Sequence, residues 1–119
     1  MSYDDSNIFN KILSGDIPCD KIYEDDEILC FKDIKPIAKI HVLIIPKEKY
    51  ISFNDFVSNA SENTITSFFK KIQKIADKLN ISKSGYRIIS NHSLDANQEV
   101  PHFHIHLVGG ENLGGIKGK

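Results

Sequence analysis

The sequence predicts an α+β fold: one domain with a mostly antiparallel sheet, covered on one face by a helix. Three observations lead there. Five short runs rich in apolar and β-branched residues are each bounded by turn residues, as strands are. One long stretch between the third and fourth of them has a helical apolar period. The chain of 119 residues is one domain long and carries no internal repeat, low-complexity tract or linker.

Asn7 to Leu13 places Ile8, Phe9, Ile12 and Leu13 at helical spacing, with Asn7 or Ser6 as the cap and Gly15 just past the end. Asp16-Ile17-Pro18 is a turn. Lys21 to Glu24 and Ile28 to Lys32 read as two strands around the acidic turn Asp25-Asp26-Glu27. Ile40 to Ile45, closed by Pro46, is an interior strand because β-branched residues dominate it. Asn63 to Leu79 carries Ile65, Phe68, Phe69, Ile72, Ile75, Ala76 and Leu79 on one stripe, with Ser61 as its N-cap. Lys70, Lys71, Lys74 and Lys78 occupy the opposite side and read as a solvated helix face. Tyr86 to Ser90 is a strand, Asn91 to Val100 a loop, and His102 to Val108 the last strand. Residues 1–119 form one unit, with 1–6 and 111–119 expected to be flexible.

Composition excludes several classes of function. Fifteen basic residues against sixteen acidic give a net charge of −1, which lacks the positive field that nonspecific nucleic-acid binding needs. No apolar run approaches the roughly 20 residues of a membrane span, and the polar, acidic start does not resemble a secretory signal. Cys19 and Cys30 are too few and too far apart for a CxxC metal or redox motif and read as free thiols. A cytoplasmic location is expected.

One feature stands out from this ordinary background. Three of the five histidines fall within five residues, in strict alternation. On a strand, alternate side chains share a face, so His102, His104 and His106 line one side while Phe103, Ile105 and Leu107 line the core side. Three uses of such a row compete. The rings can be satisfied structural histidines. Two of them can bind a metal with a distant third ligand such as His41, His92 or a carboxylate, since the outer pair lies about 13 Å apart, too far to share one ion. The third use is catalysis at phosphorus: neutral imidazole attacks, and neighbouring rings hold phosphate oxygens and pass protons. Ser90-Asn91 and Asn97-Gln98, which bracket the loop leading into the row, supply uncharged phosphate donors. His41 sits within an otherwise apolar strand, where it can extend the relay.

Gln98-Glu99-Val100-Pro101-His102-Phe103-His104-Ile105-His106-Leu107 resembles the signature of the histidine triad (HIT) family. Ile8 to Ile12, Phe31-Lys32-Asp33-Ile34 with Pro36, Ile40 to Pro46, Gly85-Tyr86-Arg87 and Asn91 also fall in register with that family, and the likeness runs from about Asn7 to Gly110. Within it the chain is most similar to the Hint-like branch of small nucleoside phosphoramidases. The resemblance implies a five-stranded antiparallel sheet with two helices, and two such sheets joined across a homodimer. It implies hydrolysis of the P–N bond of purine nucleoside 5′-phosphoramidates through a covalent nucleotidyl-histidine, with AMP or GMP as products. Neither a cofactor nor a metal is expected, and neither nucleic acid nor a membrane is an expected partner.

By the same resemblance His104 is the nucleophile, His106 contacts the phosphate and leaving group, and His102 and His41 belong to the proton relay. Asn91, Gln98 and His106 position phosphate oxygens. Asp33 accepts hydrogen bonds from the ribose hydroxyls. Ile8, Phe9, Ile12, Phe31, Ile34 and Leu43 form the apolar base slot, and Glu99 lies on the leaving-group side. The pattern departs from the family at Glu99, where animal members carry Ser, at Asn97, which replaces a common Gly, at Lys32, which replaces a frequent His, and in the tail, which lacks an aromatic ending. Two alternatives accompany this reading: a dinucleoside polyphosphate hydrolase, and a nucleotide-binding interaction protein with vestigial catalysis.

Overall fold

Five antiparallel strands form one sheet in the order β1-β2-β3-β5-β4. They span Lys21–Glu24 (β1), Ile28–Lys32 (β2), Ile40–Pro46 (β3), Tyr86–Ile89 (β4) and Ile105–Gly109 (β5). Among the described residues three α-helices accompany them: α1 over Ile8–Leu13, α2 over Phe53–Asn59 and α3 over Glu62–Lys78. The structure is a computed structural model that describes residues 2–117.

The register sorts the side chains by face. Cys30 lies opposite Ile44, Ile44 opposite Ile105, and Val42 opposite Leu107. With Ile28 and Phe103 they form the main core, against which α3 lays Phe68, Ile72, Ile75 and Ala76. Phe103 sits at its centre, stacked on Phe56 of α2 with ring centroids 4.6 Å apart. The other face carries Leu29, Phe31, Leu43 and Ile45, which bury against Phe9 of α1. The sheet is therefore covered on both faces, fully by α2 and α3 and in part by α1, where coverage of one face was expected.

The helix caps follow local chemistry. Asn7 and Ser61 each accept a backbone N–H three residues on, capping α1 and α3. Gly15, at φ 87°, takes the left-handed position just after α1, where a side chain would be strained. The sequence pattern does not predict α2. Its signal is present in Ser52, which caps through the N–H of Asp55, and in Phe53, Phe56 and Val57 at helical spacing. Seven residues are too few to show a full period.

The last strand also differs from its expected span of His102 to Val108. Pairing with β3 ends at Ile44 opposite Ile105. The next rungs would fall on Ile45 and Pro46, and Pro46 has no N–H to extend the ladder. The segment 102–104 instead turns to the connector after β3: the N–H of Phe103 donates to the carbonyl of Tyr50 at 2.7 Å. The alternation of side chains continues through it nonetheless.

The lysine face of α3 is not uniformly solvated. Lys71 lies 2.8 Å from Asp25 and 2.6 Å from Glu27, tying the β1–β2 turn to the helix. Lys78 donates to the carbonyl of Ile22. Lys70 and Lys74 are exposed as expected. Among the ends expected to be flexible, residues 1, 118 and 119 lie outside the described residues. In the remainder, Asp5 pairs with Lys49 at 2.7 Å, Glu111 accepts the N–H of Lys39, and Arg87 donates to the carbonyls of Gly114 and Gly115. No helix among the described residues is long and apolar enough to cross a membrane.

Candidate active site

His102, His104, His106 and His41 gather on the α1 side of the sheet. The register brings them there: His106 sits across from Leu43 on β3, and His41 lies two residues before Leu43, a diagonal neighbour on the same face. His41, His102 and His104 are buried and His106 is half-buried.

The hydrogen bonds assign the protons. His104 Nδ1 lies 2.7 Å from the carbonyl oxygen of His102. A carbonyl accepts only, so Nδ1 carries the proton and Nε2 presents a lone pair. At His41, the backbone N–H of Ile37 donates to Nδ1 at 3.1 Å. The proton of neutral His41 is therefore on Nε2, which lies 2.9 Å from His106 Nδ1. His106 accepts there and holds its own proton on Nε2. The four rings thus form two chains, one ending in a free lone pair and one in a free N–H.

Burial keeps these rings neutral. Desolvation pulls His102 and His106 down to about 4, with the neighbouring histidines adding to the effect on both. Desolvation also lowers His104, opposed by its bond to the His102 carbonyl and by Asp33 and Glu99, and lowers His41, opposed by Asp33. The Phe9 ring meets His104 edge-on at a centroid distance of 4.9 Å and contributes to that apolar environment.

Asp33 lies beside the relay. One carboxylate oxygen accepts the N–H of Lys35 at 2.8 Å, and the other is 3.4 Å from His41 Nε2. Asp33, His41 and His106 place one ligand atom each within 4.8 Å of one another, the grouping among the described residues that could hold a metal ion. It uses one member of the histidine row, whereas the metal alternative drawn from spacing required two. His92 is not part of it; its Nδ1 is buried without a partner among the described residues.

The loop before the row is held by Gln98. Its Nε2 donates to the carbonyls of Ile51 and Val100, and its Oε1 accepts the N–H of Ser93. Both ends of that side chain are engaged in shaping the loop, beyond the phosphate contact that the resemblance implies. Asn91 is half-buried just after β4, and Glu99 is exposed. Asn97 takes the left-handed region at φ 55°, ψ 48°, where Asn is tolerated, so the turn survives the loss of the family's Gly.

Of the residues assigned to the base slot, Phe9, Phe31 and Leu43 are buried together and Ile12 packs against them. Ile8 is 47% exposed and Ile34 is 94% exposed, so neither belongs to the buried cluster. Leu29 and Ile45 do belong to it, Cys19 and Val100 pack against it, and the sequence pattern marks none of the four for the slot. So did Tyr3, whose hydroxyl lies 2.5 Å from His102 Nδ1. No local pattern announces a contact between residues 99 apart in the chain.

The model of the HIT domain family matches residues 14–113. The chain belongs to the HIT family. An uncharacterized HIT-like protein of Rickettsia prowazekii is 46% identical over 114 residues, covering 96% of this chain and 95% of its own. The purine nucleoside phosphoramidase of Escherichia coli K12 is 41% identical over 110 residues, covering 92% of each. Among solved structures, a HIT family hydrolase from Legionella pneumophila superposes with a TM-score of 0.86 at 37% identity, covering 92% of this chain and 96% of that one. The HIT assignment accounts for the α+β sheet and is that of a hydrolase-like protein.

Proposed function

We propose that this HIT protein is a nucleoside phosphoramidase, hydrolysing the P–N bond of purine nucleoside 5′-phosphoramidates to a nucleoside monophosphate and an amine. The observation that carries the reading is the bond from His104 Nδ1 to the His102 carbonyl, which leaves a neutral, oriented Nε2 lone pair on a ring whose centroid is 5.1 Å from that of His106. The similarity to a purine nucleoside phosphoramidase supports the substrate class.

In the proposed reaction His104 Nε2 attacks the α-phosphorus and the P–N bond breaks. The amine leaves with the proton from His106 Nε2. Water then attacks the phosphorus of the nucleotidyl-histidine and returns a proton to His106, freeing His104 and the monophosphate. Asp33 takes the ribose hydroxyls. Phe9, Ile12, Phe31 and Leu43 face the base, with Ile8 and Ile34 at the rim. Asn91 and the loop stapled by Gln98 hold phosphate oxygens, and Glu99 meets the leaving group. Two subunits pair as a homodimer through the β4 edge of the sheet. AMP and GMP are the product partners.

The test is turnover of adenosine 5′-phosphoramidates by the chelator-treated protein, compared with diadenosine tetraphosphate. A higher kcat/KM for the phosphoramidate supports the proposal. A preference for the polyphosphate selects the alternative hydrolase, and no turnover of either selects a binding role with vestigial catalysis.

A further inference from the structure

His102 is the most enclosed member of the row, with no exposed surface. Its ring faces two partners. Nε2 lies 2.8 Å from the carbonyl oxygen of Pro46. That oxygen accepts only, so Nε2 carries the proton and Nδ1 of the neutral ring is a bare acceptor. The group that meets Nδ1 is the hydroxyl of Tyr3, at 2.5 Å. The phenol is therefore the donor. Burial raises its titration above the ordinary range, which keeps that proton in place.

The N-terminal segment is built to hold Tyr3 there. The carbonyl of Asp4 accepts both the backbone and the side-chain N–H of Asn7, the buried cap of α1. Lys49 pairs with Asp5 and lies 5.7 Å over the Tyr3 ring. The Tyr3 ring meets His102 edge-on at 5.5 Å, and Phe9 meets both His102 and His104 edge-on.

We propose that Tyr3 is a positioning residue for the histidine row. Its hydroxyl locks His102 in one tautomer and one orientation, and through the His102 carbonyl it holds the proton of His104 on Nδ1. The kinetic consequence rests on His104 being the nucleophile; the hold on His102 does not. Removing the hydroxyl leaves a buried acceptor unpaired, and a buried acceptor without a donor is costly. The ring relieves that cost by binding a proton at Nδ1 more readily. A cation at His102 then withdraws electron density from the carbonyl that orients His104 and repels a second positive charge beside it. The charged and titratable groups around the pair are Lys49, Asp4, Asp5 and His104. All are retained when the hydroxyl alone is removed, so the pH response isolates it.

The test is Tyr3→Phe, which keeps the ring and its edge contacts. Nitrogen-15 NMR of the nucleotide-free protein is expected to place the native His102 proton on Nε2, with Nδ1 bare. In the variant the His102 titration is expected to move up by about one pH unit, because a hydrogen bond to the neutral form has been removed. With an adenosine 5′-phosphoramidate, kcat is expected to fall about tenfold at pH 4.5 and about threefold at pH 8, with KM within about twofold. A native His102 protonated on Nδ1, an unmoved titration in the variant, or a loss of kcat equal at both pH values overturns the proposal. Should the native protein turn over no phosphoramidate, it is the reading of the function that fails, and the NMR titration still decides the role of Tyr3.

Discussion

His104 owes its tautomer to a neighbour two residues back in the chain. Because Nδ1 donates to the His102 carbonyl, Nε2 is left with a bare lone pair in the neutral ring. His104→Ala is expected to abolish phosphoramidate turnover, by about a thousandfold or more for loss of a nucleophile, while AMP binding measured by calorimetry stays within a few-fold. Full turnover in that variant would exclude His104 as the attacking group. A different residue-scale effect sits in the loop. Ser93 is held at φ 65°, ψ −161°, a region that essentially only Gly occupies without strain. Ser93→Gly is expected to stabilise the protein by about 1 kcal/mol through relief of that strain, read as a higher urea midpoint at unchanged slope.

At the scale of elements, the acidic β1–β2 turn and α3 meet through one lysine. Lys71, with a side chain 19% exposed, bridges Asp25 and Glu27. Asp25 is held well below the ordinary carboxylate range: its own burial opposes this, and Lys71, the N–H groups of Glu27 and Ile28, and the Tyr23 hydroxyl together outweigh burial. Lys71→Met is expected to cost about 1–2 kcal/mol because two carboxylates are left facing each other without their cation. The check is a thermal or urea midpoint in low and high salt, with part of the loss recovered as salt screens the pair. A midpoint equal to that of the native protein would mean that the bridge contributes nothing net.

For the molecule as a whole, four histidines kept neutral by burial make stability depend on pH. Each folded-state pKa lies below the unfolded value, so the unfolded chain binds more protons between about 6.5 and about 4. Stability is therefore full above about pH 6.5 and falls as pH drops through that window. Urea midpoints across it are expected to decline steadily before the lowered carboxyls of Glu24 and Asp25 titrate at lower pH. A flat profile would contradict neutral burial of the row. The second whole-molecule expectation concerns the sheet edge. β4 pairs with β5 on one side only, and its Ile88 is 45% exposed. An unpaired edge with an apolar residue is a template for a second copy. Light scattering is expected to give a dimer, and Ile88→Asp to give mostly monomer; a native monomer would remove the homodimer from the proposed function.

Local pattern determined a good deal by itself. The caps at Asn7 and Ser61, the stripe on α3, the β-branched run of β3 and the alternation of His102, His104 and His106 are all short-range signals, because a helix or a strand turns over within a few residues. They placed five strands, two of the three α-helices and every ring of the histidine row, and the family resemblance of the same motifs added Asp33, Asn91 and Gln98 as candidates. What the pattern left open depends on long-range pairing. Ile8 and Ile34 look as apolar as Phe9 and Phe31, and only the register of β2 against β3 and the seating of α1 separate buried from exposed. The late start of β5 comes from Pro46 on a different strand, and the Lys71 bridge from a turn 44 residues away. Tyr3, in a segment expected to be loose, reaches His102 across 99 residues. Hydrophobic period reports which face is buried, whereas the partner of a buried polar atom is chosen by three-dimensional packing. Tertiary structure alone therefore decided where the protons of His102 and His106 sit, through Pro46 and Tyr3 for the one and His41 for the other.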